Sequence, residues 1–208
     1  MIKDKDDARK VILNASKKYA ELLGKDFFVI AERSNSYKWT EVAFCEKNFL
    51  HLTGVKFFQK TQEDNALTFF DKALNNKLAN SDFEIVNDLT YKKLSVLENA
   101  CNFTQSGKMH GNFDGQKRYL KTGALVGTVS WYLGFVYDED EKSMLPNTLM
   151  KEDIRDVSEP FGIIMMIEKT RMVDLKYELD NIVYINNKRF DVNNIKNLPK
   201  EIKNKIEF

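Results

Sequence analysis

Apolar residues recur at three- and four-residue steps near the start of the chain, which predicts an amphipathic helix over residues 6–23. The pattern then changes to strand-like runs. Phe27–Ala31 is a short apolar segment, Ser34–Ser36 is a turn sequence, and Tyr37–Cys45 alternates in part and is rich in strand formers. We therefore predict a strand meander that continues through a further strand or strand end at Phe49–Thr53.

Two helices are predicted next. The first carries an apolar stripe from Ala66 to Leu74, and the second opens near Asn87 or Asp88. The inward side chains of the second helix are predicted to be Tyr91, Leu94, Leu97 and Cys101. Gly107–Gly115 is rich in glycine and polar residues and predicts a loop that holds His110.

The second half of the chain is rich in strand-forming segments. Strands are predicted at residues 124–126, 129–137, 162–167 and 181–185, with a charged hairpin tip at Asp138–Lys142. In the tail, Pro199 would open a short helix that docks through Ile202 and Ile206.

The order of helix, strands, helices and strands predicts an α+β fold. The predicted architecture is an N-terminal helix, short strands, two helices and then a twisted antiparallel sheet. We expect a single domain over residues 1–208, with a core of about 27–186, an N-terminal helix in 1–24 and a tail in 193–208.

The composition narrows the class of protein. Lys and Arg total 32 against 31 Asp and Glu, which argues against charge-driven coating of nucleic acid but leaves room for a local basic cleft. Two distant cysteines, Cys45 and Cys101, indicate buried thiols rather than a disulfide scaffold or a zinc site. No run approaches the length of a membrane helix and the start is charged, so we expect a cytoplasmic protein without a membrane partner.

His51 is the first candidate for chemistry, because histidine takes and gives a proton near neutral pH. In a strand, Leu50 and Leu52 would face one side, and His51 and Thr53 would project together from the other. Gly54 would let the chain turn directly after them. The pair suits proton transfer, and it equally suits a hydrogen-bonded strand end.

A second segment, Leu145–Arg155, gathers amide, hydroxyl and cationic groups. Asn147 and Thr148 are predicted to cap a short helix or turn whose amides would attract phosphate. Lys151 and Arg155 would share one face of that helix. A capped helix with a charged surface is the alternative interpretation.

Weaker candidates lie elsewhere. Ser130 belongs to a predicted strand and would face a cleft in one of its two orientations. A basic cluster with an interleaved aromatic ring, at residues 117–121, suits either RNA contact or a charged approach to a strand. Phosphate-loop, dinucleotide-binding, zinc-protease and serine-hydrolase motifs are absent from the sequence, and neither a metal site nor a cofactor is predicted.

The segments Phe49–Gly54 and Leu145–Ile154 resemble motifs of phage- and mobile-element-associated nuclease-like domains of the barnase–EndoU–colicin E/D–RelE superfamily. The similarity runs from about Phe27 to Asn186. It implies a helix-plus-antiparallel-sheet fold and metal-independent cleavage of RNA, which needs a base, an acid and groups that hold the phosphate.

On the matching positions the resemblance implies His51 as general base or acid, with Thr53 orienting it or contacting phosphate. Lys151, Asn147 and Thr148 would hold the scissile phosphate, with Arg155 as a further phosphate-binding residue and Ser130 as a weaker catalytic candidate. His110 lies outside both motifs and is a candidate second proton carrier. The expected function is an endoribonuclease, a toxin or phage-linked effector, with RNA as substrate and a protein inhibitor or a host or phage factor as a further partner. The alternative is an inactive member of the family that binds protein or RNA, which the near-zero net charge favours.

Overall fold

The computed structural model describes residues 2–58, 65–115, 122–171 and 176–207. Helices in these ranges are α1 (Lys5–Ala20), α2 (Glu46–Thr53), α3 (Asn65–Leu74), α4 (Asp88–Cys101), α5 (Phe103–Ser106) and α6 (Lys200–Lys203). The longer strands are β1 (Lys25–Arg33), β2 (Ser36–Ala43), β5 (Met109–Asn112), β6 (Ala124–Gly127), β7 (Tyr132–Asp138), β8 (Ser143–Met150), β9 (Phe161–Thr170) and β11 (Ile182–Ile185). Short two-residue strands are β3 (Lys56–Phe57), β4 (Phe83–Glu84), β10 (Tyr177–Glu178) and β12 (Ile206–Glu207).

The long strands form one strongly curved sheet. Its order among the described residues is β1-β2-β8-β7-β6-β5-β9-β11, and β9 also pairs with β1, so seven of the strands close into a ring. The pairs are antiparallel except for the single contact between β2 and β8, where Val42 pairs in parallel with Met144. The predicted α+β class with a mostly antiparallel sheet is confirmed.

The main core lies between one face of this sheet and the helices. From α1 it receives Ile12 and Tyr19, which are fully buried, from β1 it receives Phe27, and directly after β2 it receives Phe44. Rings pack edge-on across it, with the centroid of Tyr19 5.5 Å from that of Phe44. The plentiful aromatic residues are therefore explained largely by the core.

Two smaller apolar clusters cover the opposite face of the sheet. Phe28 and Ile30 of β1 pack against the C-terminal segment, where Ile202 and Ile206 are both 1% exposed. The prediction that this tail docks through its two isoleucines is confirmed. Farther along the ring, Tyr132 and Ile154 belong to the other cluster.

Several local predictions are confirmed. The turn between β1 and β2 places Ser34 and Asn35 at positive φ, as a two-residue hairpin turn requires. The side chain of Asn87 caps α4 by accepting from the amide of Thr90. One inward prediction in α4 is wrong, since Tyr91 is 38% exposed.

The predicted strand at Phe49–Thr53 is wrong, because these residues belong to α2. Phe49 and Leu52 lie on one side of the helix and are buried. The ring centre of Phe49 lies 5.1 Å from that of Tyr19 and 5.3 Å from that of Phe70, and these contacts stabilise the helical conformation. Tertiary packing has here overridden local strand propensity.

Two further segments differ from prediction. The expected loop around His110 contains β5, which pairs with both β6 and β9. The expected helix start at Pro146 lies inside β8, the second strand of the hairpin with β7. Proline is tolerated there because the β7–β8 register shifts at this point, forming a bulge. The basic cluster at 117–121 lies outside the described residues.

Candidate active site

α2 carries His51 on its outer side. Phe49 and Leu52, three residues apart, share the buried face of the helix. His51 lies on a different face and is exposed. The helix ends at Gly54, whose φ of +71° reverses the chain. His51 therefore lies in the last turn of a short helix, beside the carbonyl groups that a helix C-terminus leaves unpaired.

The environment of His51 favours the neutral imidazole. Partial burial lowers the pKa of His51 below its ordinary value of 6.5, and the positive charge of Lys93 lowers that pKa further. A hydrogen bond with the backbone of Asn147 acts in the opposite direction. The ring thus stands between a lysine of α4 and the backbone of β8, and it is exposed enough to meet a ligand.

Lys93 is the residue that closes the end of α2. Its side chain is buried, with the whole residue 7% exposed, and burial lowers its pKa. Its Nζ donates to the carbonyl oxygen of His51 at 3.2 Å. One turn earlier in α4, the hydroxyl of Thr90 donates to the carbonyl oxygen of Gly54 at 2.9 Å. Two side chains of α4 therefore satisfy the C-terminus of α2 and position His51.

Asn147 occupies the bulge of β8. Pro146 pairs with Phe135 and Thr148 pairs with Gly134, so Asn147 is the extra residue between two adjacent rungs. At this bulge the backbone of Asn147 hydrogen-bonds with His51. The structure thus brings together one residue from each of the two predicted motifs, His51 and Asn147.

Thr53 and Thr148 do not join His51. Thr53 is fully buried, and its hydroxyl donates to the carbonyl oxygen of Leu50 and accepts from the amide of Val55. Thr148 is also buried, and its methyl group packs where a Cβ on Gly134 would lie. The expectation that Thr53 and His51 share one face was wrong because it assumed a strand.

Lys151 follows the last rung of the β7–β8 ladder and Ser130 precedes it, so Ser130 lies in the bend before β7 and not in the predicted strand. The last rung pairs Tyr132 with Met150, and both candidates are exposed just beyond it. Ser130 shares a 3.1 Å hydroxyl contact with Thr128. Lys151 is four residues from Asn147, about 13 Å along an extended strand.

Arg155 follows in a short 3₁₀ turn, Ile154–Asp156, and not in the predicted helix. Its guanidinium donates to both carboxylate oxygens of Asp153, to Oδ1 at 3.0 Å and to Oδ2 at 2.6 Å. This contact lowers the pKa of the Asp153 carboxyl. The positive charge of Arg155 is therefore partly neutralised.

His110 has a different environment from His51. It is 1% exposed, and neither ring nitrogen has a hydrogen-bond partner among the described residues. Burial, with a smaller contribution from Lys38, lowers its pKa to about 4. Its backbone pairs with β6 and β9, and not with the elements that surround His51.

One feature of the sequence indicates that Lys93 is buried beside another element. Thr90, Leu94 and Leu97 form the buried stripe of α4, and Lys93 falls within that stripe at helical spacing. A lysine on an apolar face is costly to bury without a partner. The partner, the C-terminus of α2, could be recognised only once α2 was known to be a helix.

His51 is exposed at the surface of α2. Four grooves of about 380 to 780 Å³ on the described residues are lined by other side chains. The exposed imidazole can be reached by a polymer that lies across the surface.

The chain belongs to a family of nuclease-like proteins. The family is PBECR4, described as phage-Barnase-EndoU-ColicinE5/D-RelE like nuclease4, and its model matches residues 11–186. The match includes α2, α4 and β8, the three elements around His51. No curated protein and no solved structure matches the chain significantly.

Membership of this family indicates a nuclease domain with a nucleic acid as substrate. Across the ranges that the structure describes, no helix has both the length and the apolar character needed to span a bilayer.

Proposed function

We propose that the protein is a metal-independent endoribonuclease in which His51 is the proton-transfer group. The observation that carries this proposal is the position of His51, exposed between Lys93 and the backbone of Asn147 with a lowered pKa. A lowered pKa keeps the imidazole neutral at pH 7, as a general base requires. Family membership supplies the substrate class.

In the proposed reaction, His51 takes the proton of a ribose 2′-hydroxyl. The 2′-oxygen forms a bond to phosphorus, the bond to the 5′-oxygen breaks, and the leaving oxygen takes a proton from solvent. The products are a 2′,3′-cyclic phosphate and a 5′-hydroxyl. This chemistry needs no metal when cations or amides balance the phosphate charge.

Lys93 is proposed as a positioning residue, because its ammonium contacts the carbonyl oxygen of His51 and lies largely buried. Its charge also opposes protonation of the resting imidazole. Asn147 lies beside the ring, and Lys151, just beyond the end of β8, is exposed and has no ion pair with another described residue. We propose that Asn147 and Lys151 hold successive parts of the RNA backbone.

The test is cleavage of total RNA and transfer RNA by the purified chain in EDTA. His51→Ala should abolish cleavage, while Glu46→Ala, at an exposed position of the same helix, should leave it unchanged. Detection of a cyclic phosphate end would identify the chemistry. Equal rates for the wild type and His51→Ala, or activity restored only by added metal, would refute the proposal.

The wider role proposed is that of a toxin or phage-linked effector acting on RNA in the cytoplasm, with a protein inhibitor as a partner. Growth arrest on expression of the wild type, but not of His51→Ala, would support it. Normal growth with active enzyme present would count against it.

A second candidate is a family member that binds RNA or protein without cleaving it. One observation favours it: Lys151 lies one residue past the end of β8, about 13 Å along the strand direction from Asn147, whose backbone contacts His51. Such a protein would retain RNA binding and show no cyclic phosphate product under any condition. Product formation that depends on His51 would eliminate this candidate.

A further inference from the structure

A groove of about 780 Å³ opens beside the junction of β5 and β9. Its lining includes four basic residues, Arg33, Lys108, Arg155 and Arg189, and two acidic ones, Glu32 and Glu159. The lining therefore has a net charge of two positive units, whereas the whole chain has a net charge of +1. The near-neutral chain has a local basic cleft.

Two of these cations have no carboxylate partner among the residues that the structure describes. Lys108 and Arg189 make no ion pair with another described residue, whereas Arg155 is bound by Asp153. Arg33 lies 3.6 Å from the carboxylate of Glu159, but both side chains are more than half exposed. Exposed pairs of this kind are weak and exchange readily for another anion.

The two unpaired cations are held in place by neutral contacts. Lys108 donates to the carbonyl oxygen of Gln105 at 2.7 Å, and its Nζ lies 4.2 Å from the ring centre of Tyr184. Arg189 lies against β9 at Gly162, where any Cβ would collide with the guanidinium. The amide of Arg189 also bonds to the carbonyl oxygen of Asn186. These contacts fix the two charges in the groove without neutralising them.

Arginine is concentrated here. The chain has six arginines, and three of them line this groove. A guanidinium binds carboxylate and phosphate alike with two parallel hydrogen bonds, and three arginines along one groove suit a ligand that repeats its anionic groups, as a phosphodiester backbone does. None of the lining residues belongs to α2, α4 or β8, so the groove is separate from the His51 site.

We propose that this groove binds the phosphodiester backbone of single-stranded RNA as an exosite. The identity of the ligand rests on the proposed function, while the groove itself does not. RNA held at the groove would increase the local concentration of its flanking sequence near His51. This assigns Arg155 to the exosite rather than to the scissile phosphate.

The test is binding of a fluorescein-labelled oligouridylate in the His51→Ala background, where cleavage is blocked. Lys108→Gln with Arg189→Gln should weaken binding. It should also lower the slope of log affinity against log salt concentration (the salt slope) by about 1.4, at about 0.7 per lost phosphate contact. The affinity advantage of the parent should then shrink about sevenfold between 50 and 200 mM salt. Lys10→Gln with Lys17→Gln, on the exposed side of α1, changes net charge equally and should leave binding unchanged.

Lys108→Arg with Arg189→Lys preserves charge and should retain the salt slope, which guards against a folding defect in the neutral variant. Equal binding by the neutral variant and its parent would overturn the exosite. So would an equal loss in the α1 control, or binding of polyglutamate in preference to RNA. A wild type that binds through the groove but cuts nothing would refute the proposed function and leave the exosite standing.

Discussion

Replacement of Gly54 by alanine tests the connection between α2 and Lys93. Gly54 has φ +71°, and an alanine Cβ there would lie 2.9 Å from Cδ of Lys93. Gly24 has φ +72° with nothing within 4 Å of the same position. The two glycines therefore share the backbone conformation and differ in the lysine contact.

The expected cost follows from these contacts. A left-handed conformation costs alanine about 1–2 kcal/mol, and this applies to both substitutions. At Gly54 the alanine would also displace the lysine side chain from the carbonyl oxygen of His51, 3.2 Å away. A hydrogen bond to a charged group contributes about 1.5–3 kcal/mol. Gly54→Ala should therefore reduce the free energy of unfolding by about 2.5–5 kcal/mol, against about 1–2 for Gly24→Ala.

Urea unfolding followed by tryptophan fluorescence measures both free energies, and RNA cleavage measures the effect on the site. Gly54→Ala should also slow cleavage under conditions where it remains folded, and Gly24→Ala should not. In a Lys93→Ala background the difference between the two glycine variants should largely disappear, since both the clashing Cδ and the hydrogen bond to His51 are absent. Equal destabilisation by the two substitutions in the wild-type background would refute the reasoning.

Three further predictions concern titration and hydrogen bonding. Lys93→Met should raise the pKa of His51, because a positive neighbour is removed, and should move the acidic limb of the cleavage rate to higher pH; an unchanged NMR titration of His51 would contradict this. His110 has a pKa of about 4 when folded against 6.5 when unfolded, so the unfolded state binds more protons between these values and stability falls as pH drops through this range. The free energy of unfolding should fall by about 3 kcal/mol by pH 4. Urea unfolding at pH 7 and pH 4.5 should show a smaller fall for His110→Phe than for the wild type. Thr53→Val should destabilise the protein by about 1–2 kcal/mol through its lost hydrogen bonds while leaving cleavage intact, and lost activity in a stable variant would restore Thr53 to the site.

The candidate site was only partly predictable. His51 was singled out from the chemistry of its side chain, and the structure places its segment in contact with the one that holds Asn147. The prediction that Thr53 and His51 share one face was incorrect because the segment is a helix and not a strand. In the helix, Thr53 points into the core while His51 is exposed. Lys93 was missed for the same reason, since a buried ammonium has an evident partner only when α2 has a helical C-terminus.

The sequence by itself determined the α+β class, the N-terminal helix, the hairpin turns and the docking of the C-terminal tail. Periodicity, turn residues and apolar runs are local properties, and they remain readable without knowledge of distant contacts. Only the tertiary structure decided that residues 46–53 are helical, that β8 bulges at Asn147, and that cations distant in sequence share one groove. These features depend on packing and strand pairing between segments far apart in the chain, whose free energies outweigh the small local preferences.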